Sequence, residues 1–238
     1  MTPPRIALSV VMPAYNEEGS IAAAAAEVQE WVLQRVLDAE LVVVNDGSRD
    51  ATGPILDGLA AKDHRIRVIH RPNGGHGPAL RTGIEAAAGE FLFLIDSDRQ
   101  IPLSAFPPLW DAVSSGYDAA FGVRTERHDP VLRLWLTRVV RYALSPLFGV
   151  RIADGNIPFK VLSRRLWDDA RKFIAVDTLT PSLFLAIFAK TRQYRIAEIP
   201  VPHRERQTGV VSIRRWRLFK FCARAFWQLL AFRRNLEA

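Results

Sequence analysis

Two aspartates, one residue apart, follow a short run of five apolar residues near the middle of the chain. The run Phe91 to Ile95 is uninterrupted, which is typical of a strand buried on both faces of a sheet. Asp96 and Asp98 therefore stand at the end of a buried strand, where two carboxylates repel each other unless a cation lies between them. Such oxygen ligands favour Mg²⁺ or Mn²⁺, which keep several waters and share substrate phosphates. Gln100 is a candidate third, neutral ligand.

The same segment also has a purely structural interpretation. Asp, Ser and Asp are common turn and cap residues, and Pro102 suits the start of a following helix. The strand end alone therefore leaves two alternatives, a metal site and an ordinary strand-to-helix loop.

Strand and helix patterns alternate through the first hundred residues. Short β-branched or aromatic runs predict strands at 6–12, 41–45, 66–70, 91–95 and, later, 117–123. Ala-rich and Leu-rich stretches predict helices at about 19–37, 51–62, 77–88 and 131–145. This alternation predicts an α/β fold with a mostly parallel central sheet and helices on both faces. Ligands of such sheets bind beyond the carboxyl ends of the strands, where the polar segments converge.

Two common nucleotide-binding motifs are absent from the sequence. The pattern G-x-G-x-x-G is missing after the first predicted strand, and Gly74, Gly75 and Gly77 do not reproduce its spacing. The pattern G-x-x-x-x-G-K-[ST] does not occur. These absences argue against a dinucleotide-binding Rossmann domain and against a P-loop.

Charge is distributed unevenly along the 238 residues. The net charge is +7, and residues 190–238 carry twelve Lys and Arg against three Glu. Such a basic region attracts phosphates, whether of a nucleotide, a nucleic acid or an anionic lipid. Cys222 is the only cysteine, which excludes an intramolecular disulfide and a cysteine-rich metal site. With no secretion signal evident either, we expect a cytoplasmic protein.

Four motifs at predicted strand ends resemble, in this order and at this spacing, the family 2 glycosyltransferases of the GT-A fold. They are VVMPAYNEEGSI, VVVNDGSRDAT, GGHGPALRTGIEAAAGEF and LFLIDSDRQ, and the resemblance extends over about residues 8–215. The form D-x-D-x-Q and the later segments FGVR, DGNIPFKVLSRR and EIPVPHRERQTGVVS are most similar to the branch of dolichyl-phosphate mannose synthase and polyprenyl-phosphate glycosyltransferases. The resemblance implies an inverting, metal-dependent transfer of sugar from a nucleotide diphosphate to a polyprenyl phosphate.

The resemblance assigns several residues to a GDP- or UDP-sugar donor. The expected contacts to its base, ribose or phosphates are Pro13, Tyr15, Glu17, Asp46, Arg81, Ser97 and Arg206. The expected ligands of Mg²⁺ or Mn²⁺ are again Asp96, Asp98 and Gln100.

Some donor positions leave alternatives open. Arg81 also fits an ordinary solvated residue of a helix, whereas Arg206 holds an R-x-x-G position in a basic loop that would close over the diphosphate. The glycines after the third strand are either turn residues or room for the donor to approach the backbone. Asn45 stands where the family usually has an aspartate, and its amide both accepts and donates, which affects base recognition.

Three residues are assigned to the acceptor side. By resemblance, Arg124 and Arg138 would reach the acceptor phosphate. Asp154 would orient the acceptor or act as a base, and its alternative is a turn residue preceding Gly155.

The C-terminal segment is apolar with a narrow basic stripe at helical spacing. We expect a GT-A domain at 1–211 and a basic amphipathic helix at 212–238. The apolar span is shorter than the ~20 residues that cross a bilayer, so we expect the helix to lie on an anionic membrane surface, at the cytoplasmic face. The alternatives are packing on the protein's own core or on a second subunit of a homo-oligomer.

Two rival functions accompany this interpretation. One is sugar transfer to a sugar or lipid hydroxyl, and the other is a membrane-binding GT-A module without catalysis. The intact D-x-D-x-Q motif argues against the second. We expect no nucleic-acid partner, because the basic segment carries no groove-reading motif.

Overall fold

The structure, a computed structural model, describes residues 6–125, 147–155, 157–204 and 215–237, with the side chains of the last helix described from Ala223 onward. The strands in these ranges are β1 Leu8–Ala14, β2 Ala39–Asn45, β3 Ile66–His70, β4 Phe91–Leu94, β5 Ala119–Arg124, β6 Lys160–Ser163 and β7 Ile196–Val201. The α-helices are α1 Ile21–Val28, α2 Thr52–Ala60, α3 His76–Ala86, α4 Phe106–Ser114, α5 Arg164–Ala170, α6 Pro181–Thr191 and α7 Arg215–Glu237.

The seven strands form one sheet in the order β3-β2-β1-β4-β6-β5-β7. β6 runs antiparallel to both of its neighbours, while the other pairings are parallel. The mostly parallel α/β sheet predicted from the sequence is therefore confirmed. The polar segments that follow β1, β2, β3 and β4 consequently lie along one edge of the sheet.

The sheet separates two apolar cores, one on each face. Val10 and Met12 of β1 belong to one core and Val11 to the other, because successive residues of a strand point to opposite faces. Phe93 packs with Phe106 in the first core, with ring centroids 4.9 Å apart. Both faces of β1 are therefore buried, which explains its nearly continuous apolar sequence.

The predicted elements of the first hundred residues match the observed ones closely. The bounds of β3 are those predicted, and β1 begins two residues later than expected. The first predicted helix is divided, because α1 passes into a π-helical turn at Gln29–Leu33. The helix predicted at 131–145 lies outside the described residues.

The last helix, α7, has one buried and one exposed face. Leu229 and Phe232 are buried, and the ring of Phe232 lies 4.9 Å from that of Phe184 in α6. Trp227 is 69% exposed and Phe226 46%. Packing on the protein's own core therefore accounts for the inner face but not for the outer one. Within the described ranges, none of the helices combines the length and the apolar character needed to cross a bilayer.

Candidate active site

A cavity of about 280 Å³ opens at the carboxyl edge of the sheet. Its lining comes from the loop after β4, the end of β5, the segments that lead into β6 and α6, and residues of α1, α3 and α6, together with His203. The chemically active side chains among the lining residues include His76, Asp96, Asp98, Gln100, Arg124 and Ser182. The fold therefore brings the three predicted metal ligands and one predicted acceptor residue to one place.

The loop after β4 turns sharply and presents both carboxylates to the cavity. Arg99 adopts a left-handed φ of 58°, and its Nε donates to Glu27 Oε1 of α1 at 2.9 Å. Asp98 Oδ1 accepts from the backbone N–H of Gln100 at 3.2 Å. Ser97 is buried between the two aspartates. The contact between Arg99 and Glu27 thus holds the loop against α1, and Asp96 and Asp98 both line the cavity.

His76 is a site residue that the sequence analysis did not identify. Its Nε2 lies 2.9 Å from Asp96 Oδ1. Desolvation on its own lowers the pKa of His76, but the hydrogen bond to Asp96 and the charges of Asp96, Asp98 and Asp46 raise the pKa above its ordinary value. The only sequence signal was its place in the GGHG segment.

The carboxylates fit a divalent metal that is completed by substrate. Among the described residues, no three acidic, His or Cys side chains lie close enough together to hold a metal alone. Mg²⁺ and Mn²⁺ are often bound by one or two carboxylates, with waters and substrate phosphates filling the remaining positions. Asp96 and Asp98 in one open cavity, with Gln100 beside them, match that donor set.

Asp46, predicted to contact a nucleoside, accepts hydrogen bonds from the glycine-rich loop after β3. Its Oδ1 accepts from Gly74 N at 3.0 Å and its Oδ2 from Gly75 N at 2.7 Å. Arg71 Nε lies 3.4 Å from the same carboxylate, which is almost completely buried. The contacts show that Asp46 shapes this loop, and a nucleoside contact stays a prediction.

Asn45, the departure from the family pattern, uses both ends of its amide inside the protein. Oδ1 accepts from Ser48 N at 3.0 Å, and Nδ2 lies 3.0 Å from His70 Nδ1. His70 Nε2 in turn lies 2.9 Å from Asp57 Oδ1. An aspartate could not donate to His70, so Asn45 fits this chain of contacts.

The other residues predicted to bind base and ribose do not belong to the described lining of the cavity. Pro13 is buried in β1, Tyr15 is exposed, and Glu17 Oε2 accepts from Ser20 Oγ at 2.7 Å. The loop that carries them is bonded to the loop after β2, through Asn16 N and Ser48 Oγ at 3.0 Å. Their donor contacts stay a prediction.

The side chain of Arg81 contacts residues that lie outside the described lining of the cavity. Its Nε donates to Glu85 Oε1 at 2.7 Å and its Nη1 to the carbonyl of Ile174 at 2.9 Å, and it stacks 5.8 Å from the ring centroid of Trp167. The structure does not bring Arg81 to the described lining of the cavity. Arg138 and Arg206 lie outside the described residues.

Arg124 lines the cavity, and Asp154 lies behind it. The Nε and Nη2 of Arg124 donate to Oδ2 and Oδ1 of Asp154 at 2.7 and 3.0 Å. The Asp154 side chain is 2% exposed, and it does not belong to the described lining. The pair fixes the guanidinium in place, a geometry suited to binding an anion.

Lys160 is a buried cation next to this pair. Its Nζ donates to the carbonyls of Gly155, at 3.0 Å, and Ile157, and it lies 5.4 Å from the ring centroid of Phe121. Burial is the main cause that lowers the pKa of Lys160 to about 7; the charges of Asp154 and Asp96 oppose this shift, and the charge of Arg124 adds to it. Its two acceptors lie in the segment between Asp154 and the cavity-lining Pro158.

The glycine-rich loop packs against the segment that precedes α6. A Cβ at Gly77 would lie 2.0 Å from the carbonyl oxygen of Thr178. Gly75 has a φ of 90°, which favours glycine. Gly77 therefore provides room for the neighbouring backbone, whereas Gly75 is a turn residue.

Comparison with known proteins places this geometry in a family. The model of the family described as "Glycosyl transferase family 2" matches residues 9–169. Curated relatives include an undecaprenyl-phosphate 4-deoxy-4-formamido-L-arabinose transferase of Pseudomonas aeruginosa, 30% identical over 85% of this chain and 59% of the relative. The enzyme of that name from Aeromonas hydrophila is 28% identical, over 85% and 61% of the two chains. The chain thus spans about three fifths of the length of these relatives.

Solved structures show the same fold. Glucosyl-3-phosphoglycerate synthase of Mycobacterium tuberculosis, in complex with Mn²⁺, UDP and glucosyl-3-phosphoglycerate, has a TM-score of 0.72 and 23% identity, covering 95% of this chain and 79% of that one. The complex of that enzyme with phosphoglyceric acid gives a TM-score of 0.71 at 22% identity, with the same coverage. With its fold and its D-x-D loop in place, the chain belongs to glycosyl transferase family 2 and has the GT-A fold.

Proposed function

We propose that this chain transfers a sugar, with inversion, from a UDP- or GDP-sugar to a polyprenyl phosphate at a membrane surface. The observation that carries the proposal is the pairing, in one cavity, of Asp96 and Asp98 with the fixed cation Arg124. The carboxylates suit a metal-bound diphosphate, and the guanidinium suits a second, separate phosphate. The names of the curated undecaprenyl-phosphate transferases support the same acceptor class.

On the donor side, Asp96 and Asp98 would hold Mg²⁺ or Mn²⁺, with Gln100 beside them. When bound, the metal supplies positive charge that stabilises the departing nucleoside diphosphate. The protein contributes the rigid placement of both carboxylates through the anchored loop after β4.

On the acceptor side, the reaction needs no strong base. A phosphate monoester has a second pKa near ~6, so one of its oxygens is already anionic at neutral pH. That oxygen forms the new bond to the anomeric carbon, while the bond from this carbon to the diphosphate breaks and its electron pair leaves with the nucleoside diphosphate. Arg124 would orient the attacking phosphate, and Asp154 would hold Arg124.

The outer face of α7 supports a membrane surface as a further partner. Trp227 and Phe226 are exposed on this helix, and Arg224 and Arg234 are also exposed. Aromatic rings beside arginines suit the boundary between headgroups and acyl chains. The proposal therefore places the protein on the membrane surface, peripherally.

The test is transfer from a panel of radiolabelled nucleotide sugars to farnesyl phosphate and, separately, to farnesol. We expect one donor to label the phosphate and none to label the alcohol. Asp98→Asn should reduce transfer about 100-fold or more, since a charge opposite the leaving group is lost, and excess chelator should do the same. Asp111→Asn, at an exposed position of α4, is the matched control and should keep full activity.

Two results would contradict the proposal. Labelling of a sugar or of farnesol without any labelling of farnesyl phosphate would favour a hydroxyl acceptor. Full activity of Asp98→Asn in excess chelator would remove the metal from the mechanism.

A further inference from the structure

Gln228 joins the last helix, α7, to a loop that lines the cavity. Its side-chain oxygen accepts from Leu179 N at 3.0 Å, and its side-chain nitrogen donates to the carbonyl of Asp177 at 3.0 Å. A glutamine amide both accepts and donates, so one side chain satisfies two backbone groups of this loop. Gln228 therefore fixes the backbone of the loop to α7.

The loop belongs to a wall segment, residues 174–180, which follows α5 and leads into α6. Its last two residues, Leu179 and Thr180, belong to the cavity lining. The segment consists of turns and bends, without helix or strand. A site residue on such a segment is placed only as precisely as the contacts that support it. The position of this wall of the cavity thus depends on what holds residues 174–180.

The wall segment is held by α3 as well as by α7. Arg81 of α3 donates to the carbonyl of Ile174 at 2.9 Å, and a Cβ at Gly77 would lie 2.0 Å from the carbonyl oxygen of Thr178. The contacts alternate along the chain, because the backbone of residues 177 and 179 bonds to α7 and that of residue 178 packs against α3. Loss of the bonds to α7 would therefore leave the segment supported by α3 alone at this point.

A second contact between α7 and the wall segment is weaker. Arg224 Nη2 lies 2.6 Å from Asp177 Oδ2, but the two side chains are 56% and 64% exposed. Water screens such an exposed ion pair, so it contributes little. Gln228 is half-buried and bonds to backbone rather than to a mobile side chain. Gln228 is thus the main support that α7 gives to the wall segment.

The wall segment and Arg124 line the same cavity. Under the proposed function, Arg124 orients the acceptor phosphate. The residues predicted to contact base and ribose, including Tyr15 and Glu17, do not belong to the described lining. A displaced wall segment should therefore disturb the meeting of acceptor and donor sugar more than the binding of the nucleotide.

The helix that carries Gln228 also carries the proposed membrane contact. Trp227 is exposed, and consecutive residues of an α-helix are about 100° apart around its axis. α7 thus directs one residue to solvent and the next to the wall segment. A helix that lies on the membrane surface through Trp227 would hold the cavity wall through Gln228.

We propose that Gln228 is a positioning residue for sugar transfer, which holds the wall segment where acceptor and donor sugar meet. It acts through Asp177 and Leu179, and it does not itself belong to the described lining of the cavity. This inference rests on the proposed function, because it takes the reaction from it. It makes α7 a part of the active site in addition to a membrane contact.

The test measures kcat and KM for farnesyl phosphate, at saturating nucleotide sugar and without vesicles, in two variants of the full chain. Gln228→Met keeps the length of the side chain and loses both hydrogen bonds, and it should lower kcat about tenfold, as a small misplacement of reacting groups does. Gln228→Glu keeps an acceptor for Leu179 N and loses the donor to Asp177. Its kcat should lie between those of Gln228→Met and the wild type.

Binding of a nucleoside diphosphate with Mn²⁺ distinguishes positioning from a general loss of structure. Titrated calorimetrically, its affinity should change less than twofold in either variant, at a temperature below the melting transition of both. A loss of nucleotide affinity as large as the loss of kcat would show a loosened protein and would overturn the inference.

Gln29→Met is the matched control. Gln29 Nε2 also donates to a different element of the fold, at 2.9 Å to Asp63 Oδ2, but Gln29 stands outside the described lining of the cavity. This variant should keep the kcat of the wild type. An equal fall in kcat for Gln29→Met would show that any lost glutamine contact has this effect, and the special role of Gln228 would be refuted.

Wild-type kcat and KM in Gln228→Met would also overturn the inference, because the wall segment would then be held without α7. Failure of the proposed function gives a different result, namely transfer to a hydroxyl acceptor and to no prenyl phosphate. The same variants assayed with that acceptor would still decide whether Gln228 positions the reaction.

Discussion

Asp154 accepts hydrogen bonds from Arg124 at both of its carboxylate oxygens, at 2.7 Å from Nε and 3.0 Å from Nη2. The carboxylate is almost completely buried, while Arg124 lines the cavity. The sequence assigned the two residues to the acceptor side separately, and the structure shows them as one unit. A buried charge that loses its partner is costly, so the pair should be sensitive to substitution.

We expect Asp154→Asn to lower the free energy of unfolding by about 3 kcal/mol, because Arg124 would lose its counter-charge in a poorly solvated place. Urea denaturation measures this change. Asp168→Asn is the control: Asp168 forms an exposed ion pair with Arg171 at 3.3 Å, and its loss should cost less than about 1 kcal/mol. Equal costs for the two variants would show that burial of the Asp154 pair has no energetic consequence.

Lys160 should make the stability of the protein depend on pH above neutrality. Burial lowers the pKa of Lys160 to about 7, against about 10.4 in an unfolded chain. Between these values the unfolded chain holds a proton that the folded protein lacks, so stability rises with pH from about 7 to about 10. Lys160→Met should flatten this rise, as seen in melting temperatures from pH 6.5 to 9.5. If the melting temperature of the variant rose with pH as steeply as that of the wild type, the lowered pKa of Lys160 would be refuted.

The strand pattern of the first hundred residues was predictable because parallel strands buried on both faces leave short apolar runs. β6 was not predicted, since KVLS contains a lysine that only the tertiary structure buries. Its insertion between β4 and β5 is also a long-range pairing that local patterns do not contain.

The sequence predicted those site residues whose chemical type indicates their role. It did not predict the roles that depend on contacts between distant parts of the chain. Asp96, Asp98 and Gln100 meet in the cavity as the D-x-D-x-Q motif indicates. Asp46 accepts hydrogen bonds from two backbone N–H groups of the glycine-rich loop, about thirty residues away, and no sequence pattern reveals these contacts. Ser182 escaped notice because α6 itself was not predicted.

Gly77 should tolerate no side chain. Its Cβ would lie 2.0 Å from the carbonyl oxygen of Thr178, so the segment that carries Thr180 and Ser182 would have to move. We expect Gly77→Ala to destabilise the protein by about 1–3 kcal/mol, as overpacking does. Thermal unfolding measures this change.

Gly58→Ala is the matched control for Gly77. Gly58 lies within α2, and nothing stands within 4 Å of a Cβ added there. Alanine is favoured over glycine in a helix by about 1 kcal/mol, so this variant should be slightly more stable than the wild type. If both alanine variants were equally stabilised, the Thr178 carbonyl could not lie as close to Gly77 as the structure shows.

Trp227 and Phe226 should determine membrane binding without affecting the fold. Both side chains are exposed on the outer face of α7, whereas Leu229 and Phe232 hold the inner face in the core. Trp227→Ala with Phe226→Ala should therefore reduce sedimentation with anionic lipid vesicles about tenfold or more, because apolar area no longer enters the interface, and leave the melting temperature unchanged. Leu37→Ala, which removes a residue that is 80% exposed elsewhere, should leave vesicle binding intact. Undiminished vesicle binding by the double variant would show that α7 is not the membrane contact, and a large fall in melting temperature would show that its outer face is covered by protein.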